Sequence, residues 1–543
     1  MPCMCVPGPS PRLLLTSVFK PFAQDDEYGS RAINPAELYH NQVTREQGPF
    51  SLRMFHRTWS LMFLRENISA PCTVLDFPTR ARFIRELRRA RYDIVGISAI
   101  VVNVGKVREM CRLVREHSPH SIIVVGGHVT SIPDIESRID ADHVVRGEGI
   151  AWLRTFLGED PTAPVRHPVI PSAFGMRVMG VPIADGRRNS AATIVPSVGC
   201  PMGCNFCTTS AFFGGKGRFV NFFDTGAEVF EAMLAAERKL GSQRFFMMDE
   251  NFLLHKRRAL ELLACMRAHG KAWSLYVFSS ANAIRQYDVR QLVDLGVEWI
   301  WLGLESSKNG YSKLAGTDTL ALTRTLQEHG ICVLGSTIVG LEHHTPANVG
   351  DDIARAVAHD TVFHQFMLYT PMPGTPLHAD IGAQGRLLDV DLADVHGQFQ
   401  FNFRHAAISA EQSREMLDGA FRADYERNGP SLYRLMRTLM DRHRRYGADA
   451  DGRVRARIAR GTAQLRGGYA AALWAMERYL RGANPAVGAR IGRLLKDVHR
   501  ELGGASRLAS ACGGPLLYWS ARREARRPRG SRIEPRTFVE YAR

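Results

Sequence analysis

Two long stretches of the chain alternate short apolar runs with segments whose apolar residues recur every three or four positions. In the first stretch, runs at 13–18, 73–76, 94–98, 122–125 and 143–146 predict strands, and periodic segments at 80–91, 104–117 and 132–137 predict helices between them. Strands joined through helices pair in parallel, so residues 13–150 are expected to form a doubly wound parallel sheet. The residues before 13 read as a leader without regular structure. The aromatic segment 49–65 is predicted as a helix that turns Phe55, Trp59, Leu61, Met62 and Phe63 toward a core.

The second stretch, 191–380, repeats the pattern. Strands are predicted at 192–198, 244–248, 274–279, 299–304, 332–339 and 362–368, with helices at 226–240, 256–269, 284–295, 320–329 and 349–359. Six strand and helix repeats predict a partial (β/α)6 barrel, whose chemistry is expected at the carboxyl ends of its strands. Residues 151–190 are proline-rich with weak periodicity and read as a linker. Residues 381–430 turn polar and aromatic, then helical, and are expected to cap the barrel mouth. There His396, Phe399, Phe401, Phe403 and His405 either line a site or pack as an edge strand.

Composition adds less than charge does. The 543 residues are 45% hydrophobic and 23% charged, as in ordinary globular chains of two or three domains. The net charge of +16 is uneven: residues 431–543 hold 25 Lys and Arg against 9 Asp and Glu, and the rest of the chain is balanced. In that basic helical region Leu432, Leu435, Met436, Leu439 and Met440 lie opposite Arg434, Arg437, Arg442 and Arg445, and Ile491, Leu494, Leu495 and Val498 repeat the device. Such helices lie on an anionic membrane, grip RNA phosphates, or form a bundle with an arginine-rich surface. Aromatics at Trp474, Tyr479, Tyr518 and Trp519, with no recognisable RNA-binding module, favour peripheral membrane contact over nucleic acid. No apolar run is long enough to span a bilayer. The ten cysteines form no disulfide framework, which together with a thiolate-held cluster points to a reducing, cytoplasmic compartment.

The chemistry is concentrated at Cys200, Cys204 and Cys207, spaced C-x3-C-x2-C directly after a strand. Three thiolates on one loop suit an iron–sulfur cluster. Structural zinc takes four ligands, and no second cysteine pair follows. A four-iron cluster held by three cysteines keeps one iron open to another ligand.

This loop, with the strand ends that follow it, resembles the radical SAM superfamily. The resemblance implies a [4Fe-4S] cluster whose open iron chelates S-adenosyl-L-methionine and cleaves it to a 5'-deoxyadenosyl radical. It implies that Asp249 and Glu250 receive the methionyl amino end, that Ser280, Asn282 and Glu305 follow on the next strand ends, and that Ile338 and Gly340 pack against adenine. The P-G-T-P turn at 373–376 is frequent in the cobalamin-dependent branch. Upstream, the stretches DIVGIS, VVGGHVT and VVRGEG resemble that branch's cobalamin-binding domain, which assigns Ser98, Gly126, Gly127, His128, Gly147 and Glu148 to cobalamin. The D-x-H-x-x-G motif is missing, because Ala99, Ile100, Val101, Val102 and Asn103 follow Ser98. Cobalamin is therefore expected to bind without a protein histidine below the cobalt, with His128 as a contact to the corrin tail or a loop residue.

As a whole the resemblance implies an enzyme that methylates an unactivated carbon of a hydrophobic small molecule, lipid or isoprenoid-like, with hopanoid methylases as the kind of relative. A second S-adenosylmethionine would remethylate the corrin, and a flavodoxin or ferredoxin would supply electrons. Cyclisation or carbon–carbon coupling, RNA modification, and a non-catalytic cobalamin or redox sensor are the alternatives. Tyr276 and Tyr369 are candidates by position for quenching a radical.

Overall fold

The computed structural model describes residues 11–20, 38–172, 174–183, 191–306, 311–314, 316–527 and 535–542. The expected leader lies mostly outside them.

Strands β1 (Leu13–Ser17), β2 (Cys72–Asp76), β3 (Ile94–Ser98), β4 (Ile122–Gly126) and β5 (His143–Val145) pair in parallel in the order β2-β1-β3-β4-β5. Their nearly continuous apolar content fits a sheet covered on both faces. Leu13, Leu15, Val74 and Ile94 pack with α1 (Trp59–Glu66) and, farther on, α4 (Gly149–Phe156). Leu14, Leu75, Val95 and Ile97 pack on the other face with α2 (Arg80–Arg89) and α3 (Val104–His117).

The helix expected over 49–65 begins only at Trp59. Upstream, Arg53–Phe55 is a strand paired antiparallel with Phe174–Val178, which pairs in turn with Val181–Ile183. Residues 151–190, read as a linker, thus include most of α4 and this hairpin. A short apolar run suits helix or strand equally, and its long-range partner decides.

In the second unit β6 (Ala192–Ile194), β7 (Arg244–Met247), β8 (Ser274–Ser279), β9 (Val297–Gly303), β10 (Cys332–Val339) and β11 (Phe363–Leu368) pair successively in parallel and form an open barrel wall. Helices α5 (Gly226–Leu240), α6 (Lys256–Ala268), α7 (Val289–Leu295), α8 (Thr319–Glu328) and α9 (Val349–Ala358) alternate with them. The single helix expected over 284–295 is broken, because Asp288 starts α7 with a capping box to Gln291. Phe245, Met247, Leu275, Val277, Ile300 and Leu302 are buried against the helices. The alternate positions give the inner face Phe246, Tyr276, Phe278, Trp299 and Trp301, all only partly buried.

After the barrel, residues 396–403 run beside β11. The Gly397 carbonyl accepts from Leu368, and Phe401 and Phe403 are buried with Phe366 and Phe421. Six helices follow: α10 (Ala410–Asn428), α11 (Ser431–Tyr446), α12 (Gly452–Arg466), α13 (Gly468–Ala483), α14 (Pro485–Leu502) and α15 (Gly504–Ala525). The basic amphipathic segments found in the sequence are α11 and α14, and their apolar faces (Met436, Met440, Ile491, Val498) are buried in this bundle.

Several of its arginines are buried as well. Arg442 donates to the carbonyls of Gly330 (2.6 Å) and Glu298 (3.1 Å), and Arg457 and Arg460 donate to those of Val293 and Ala272. Three of these carbonyls lie at or just before the amino-terminal ends of barrel strands and the fourth, that of Val293, is in the last turn of α7 leading into β9, so the bundle closes the barrel's bottom. Burial works against a charged Glu298, yet Arg442 and Arg457 outweigh it and hold its carboxyl below the usual range. Finally β12 (Phe538–Glu540) pairs antiparallel with β2, where Arg57 stacks 4.2 Å over Phe538 and Arg65 binds Glu540. Among the described residues no helix is long and apolar enough to cross a membrane.

Arg434 is fully buried and makes a bidentate pair with Asp424 (3.0 and 2.7 Å) while donating to Thr361 O at 2.7 Å. Asp424→Ala leaves that guanidinium uncompensated, and urea unfolding followed by circular dichroism should register a loss of about 3–5 kcal/mol in the unit that contains the bundle.

Candidate active site

β6 delivers the chain to the cysteine loop, and two glycines shape it. Gly199 and Gly203 have φ of +90° and +67°, and a Cβ on Gly203 would lie 2.5 Å from Lys216 Cβ, so neither tolerates a larger residue. The Cys204 carbonyl accepts from Cys207 N (3.0 Å), the Cys200 carbonyl accepts from Ser210 Oγ (2.7 Å), and Ser210 N donates to Cys207 Sγ (3.5 Å). The three cysteines are free and half-buried on one short loop. Burial pushes the Cys200 thiol up to about 11 and raises Cys204 and Cys207. Thiols so placed become thiolates only against a strong positive charge, which is what cluster iron provides. The donor set therefore fits the expected cluster.

The barrel strand ends surround the loop. Asp249, after β7, is buried with both oxygens engaged: Oδ2 accepts from Ser197 Oγ (2.7 Å) and Arg258, and Oδ1 accepts from Asn251 N (3.0 Å). It braces the strand end. Glu250 is different, because its Oε2 is buried with no hydrogen-bond partner, and burial together with the Asp249 charge pushes its carboxyl up to about 8. Ser280 and Asn282 share a hydrogen bond of 2.6 Å, and Asn251 ties them to β7 by accepting from Ser280 N (3.1 Å) and donating to Ser280 Oγ (3.0 Å). Glu305, after β9, adopts φ +48°, binds Lys313 through Oε1 and leaves Oε2 buried without a partner.

Lys313 was not legible beforehand. Burial opposes its charge, but Glu305 and Cys204 outweigh that and keep it protonated beside the cysteine loop. Ile338 is buried in β10, and Gly340 (φ +77°) could not carry a Cβ, which would fall 2.3 Å from the Phe401 ring. The turn after Gly340 is held by His344, whose Nδ1 accepts from Gly340 N and Leu341 N (2.9 and 3.1 Å). Its Nε2 must then carry the proton, donated to Asp352 at 2.8 Å, so the cluster of His343, His344 and Asp352 is a loop brace and not a metal ligand set.

The carboxyl ends of the first sheet face the same region across a cavity of about 540 Å3. All six residues assigned to cobalamin, Ser98, Gly126, Gly127, His128, Gly147 and Glu148, line it. So do Val198, Thr209, Phe212, Phe213, Met248 and Glu250 from the barrel side. Gly127 (φ +85°) is required, since a Cβ there would stand 2.6 Å from the Ala99 carbonyl. Glu148 is engaged as the cap of α4, accepting from Ala151 N at 2.9 Å. His128 packs 4.6 Å from the Phe212 ring, and burial lowers it to about 4, so it is neutral. Its Nδ1 lacks a hydrogen-bond partner, as does the buried Oδ1 of Asn103. With Glu250 Oε2, three buried, unsatisfied polar atoms thus belong to residues that line one largely apolar cavity. Each costs about 1–3 kcal/mol if left bare. A large apolar ligand with amide donors at its rim, as a corrin is, fits this lining. Asn103 follows the Ser98 strand end, but the Phe212–Phe213 pair was missed in the sequence because nothing local marks it; only the facing of two sheets brings it to the cavity.

A bracing turn joins the two halves. Gly374 of the P-G-T-P turn (φ +82°) sits so close to Ser131 that a Cβ would be 2.8 Å from Ser131 Cβ. Thr375 caps the helix Pro376–Ala383, and Leu377 N donates to the Asn205 carbonyl in the cysteine loop (3.0 Å). Asn205 also bonds Tyr369 and Tyr311 (3.1 and 3.3 Å).

Comparison with known proteins agrees with this geometry. Residues 63–156 match the B12 binding domain, and residues 194–356 match the radical SAM superfamily. The hopanoid C-2 methylase of Rhodopseudomonas palustris is 25% identical over 452 residues, covering 78% of this chain and 81% of that protein. An uncharacterized methyltransferase of Pyrococcus horikoshii is 26% identical over 322 residues, covering 52% of this chain and 68% of that protein. The fold is similar to that of the radical S-adenosylmethionine methyltransferase TsrM from Kitasatospora setae, solved with cobalamin and a [4Fe-4S] cluster, at a TM-score of 0.54, 18% identity and coverage of 84% and 99% of the two chains.

Two substitutions separate the cofactors. Gly127→Ala is expected to weaken cobalamin retention at least tenfold while iron content holds, read from the corrin spectrum and an iron assay of reconstituted protein. Cys204→Ser should do the reverse, removing most of the iron and leaving the corrin.

Proposed function

We propose, for a chain that is a cobalamin-binding radical SAM enzyme, that the substrate is hydrophobic and is methylated at an unactivated carbon. When bound, the cluster with S-adenosylmethionine supplies hydrogen-abstracting radical chemistry and cobalamin supplies a methyl group. Cys200, Cys204 and Cys207 would hold the cluster. Glu250, Ser280, Asn282, Glu305, Ile338 and Gly340 would contact S-adenosylmethionine, with Asp249 bracing the strand end that carries Glu250. The cavity residues Ser98, Gly126, Gly127, His128 and Gly147 would hold cobalamin, and Glu148 would fix the loop that bears them.

The observation that carries the substrate class is the inner face of the barrel. Phe246 packs against Tyr276 and Phe278 (ring centroids 4.8 and 5.5 Å apart), Phe278 against Trp301 (4.8 Å), Tyr276 against Trp299 (5.8 Å), and Trp299 against Phe363 (5.2 Å). This continuous, only partly buried aromatic face, on which Val43 and Met54 also pack, favours a large apolar molecule and excludes water, which a radical reaction needs. Hopanoid and bacteriochlorophyllide methylases among the relatives act on molecules of that character.

The test uses anaerobically reconstituted protein with cobalamin, S-adenosylmethionine and a strong reductant, fed organic-solvent or aqueous extracts of cells. Formation of both 5'-deoxyadenosine and S-adenosylhomocysteine, driven by the organic extract, is the expected result. Deoxyadenosine without homocysteine product would mean cyclisation or coupling, and stimulation by the aqueous extract alone would remove the hydrophobic substrate. Once a substrate is in hand, Trp301→Ala should lower kcat/KM about tenfold, or about 1.4 kcal/mol, without changing substrate-free cleavage of S-adenosylmethionine.

A further inference from the structure

One helix leaves apolar surface in solvent. Among the described residues five large apolar side chains stay exposed, and three of them, Leu508 (66%), Leu516 (72%) and Trp519 (64%), are on α15. With the exposed Cys512 they are spaced four, four and three residues apart, which sets them on a single stripe of the helix. The opposite face is built for close packing. Ser506, Ser510, Gly514 and Ala521 are buried, and a Cβ on Gly514 would lie 2.7 Å from the Trp474 ring of α13. The helix is thus anchored through small residues, with Leu517 and Tyr518 partly buried at the margin, and turns Leu508, Leu516 and Trp519 outward, whereas α11 and α14 bury their large apolar residues.

The charge around the stripe has one sign. Arg523 stacks over Trp519 at 5.8 Å, Arg522 over Tyr518 at 6.0 Å, and Arg526 ends the helix. Neither these three nor Arg507 make an ion pair among the described residues, whereas Glu524, the only acidic residue of α15, is turned inward to Arg177 (2.7 Å). Elsewhere in the bundle arginine charge is spent on Asp424, Glu298 and strand-end carbonyls. Here it is free.

We infer that the outer face of α15 is a docking surface for an anionic membrane, with Leu508, Leu516 and Trp519 entering the headgroup boundary and Arg522, Arg523 and Arg526 meeting lipid phosphates. An unpaired arginine cluster beside an apolar stripe complements that surface in both respects, and tryptophan favours the interface itself. This stands apart from the substrate reading and is tested without turnover. Reconstituted full-length protein is floated with vesicles of phosphatidylcholine alone or with about one-third phosphatidylglycerol, across a salt series. The expected result is flotation with the anionic vesicles, weakening as salt rises, and at least a tenfold lower partition coefficient for L508S/L516S/W519S and for R522E/R523E/R526E, with cofactor content and melting temperature unchanged. Equal flotation of either variant and the unmodified protein, or no preference for anionic lipid, would overturn it. So would light scattering that finds a dimer which L508S/L516S/W519S converts to monomer, since a second copy would then cover the face.

Discussion

The molecule depends on two parallel sheets ending against one another. In a parallel sheet every strand releases its chain at the same edge, so both units present loops, glycines and unpaired backbone groups at one rim each. Here the rims share a cavity. Ser98, Gly126 and Gly147 come from one and Val198, Met248 and Glu250 from the other. The two rims are held by close packing at two points: Gly374 on Ser131, and the His128 ring against the Phe212 ring. Contacts at that range admit little sliding, because packed interiors resist even a methylene's displacement.

What could be read from the chain follows from the same geometry. Alternation of strand and helix was written plainly, as in 274–279 and 332–339, because each strand is apolar on both faces and each helix on one. The cysteine loop was legible because its chemistry is local. Asp249 and Glu250 are adjacent and alike in sequence, yet one is locked to Arg258 and Ser197 and the other lines the shared cavity and keeps a buried oxygen without a partner. Only the direction of a strand end separates them. Lys313 was hidden for the same reason, since its partners Glu305 and Cys204 come from different loops. Residues 49–65 misled because Arg53–Phe55 finds its partner more than a hundred residues later.

The basic region shows how far a charge count can differ from a charge map. The excess of sixteen positive charges in 431–543 is partly internal: Arg434, Arg442 and Arg457 are buried, where their donors satisfy carbonyls and carboxylates at the foot of the barrel. A guanidinium has five donors on a rigid plane, which suits it to closing several strand ends at once. The same residue type therefore serves as mortar on the inner side of the bundle and as surface charge on α15.

The pairing of β12 with β2 has a consequence in time. β2 leaves the ribosome early, but the strand that covers its edge lies at 538–540. At ordinary elongation rates of about 5–20 residues per second, the interval between them is roughly half a minute to a minute and a half. Until then the first sheet carries an open edge, a template for mispairing with other nascent chains. Arrival of residues 538–540 is what retires that hazard, when Phe538 packs under Arg57 and Glu540 pairs with Arg65.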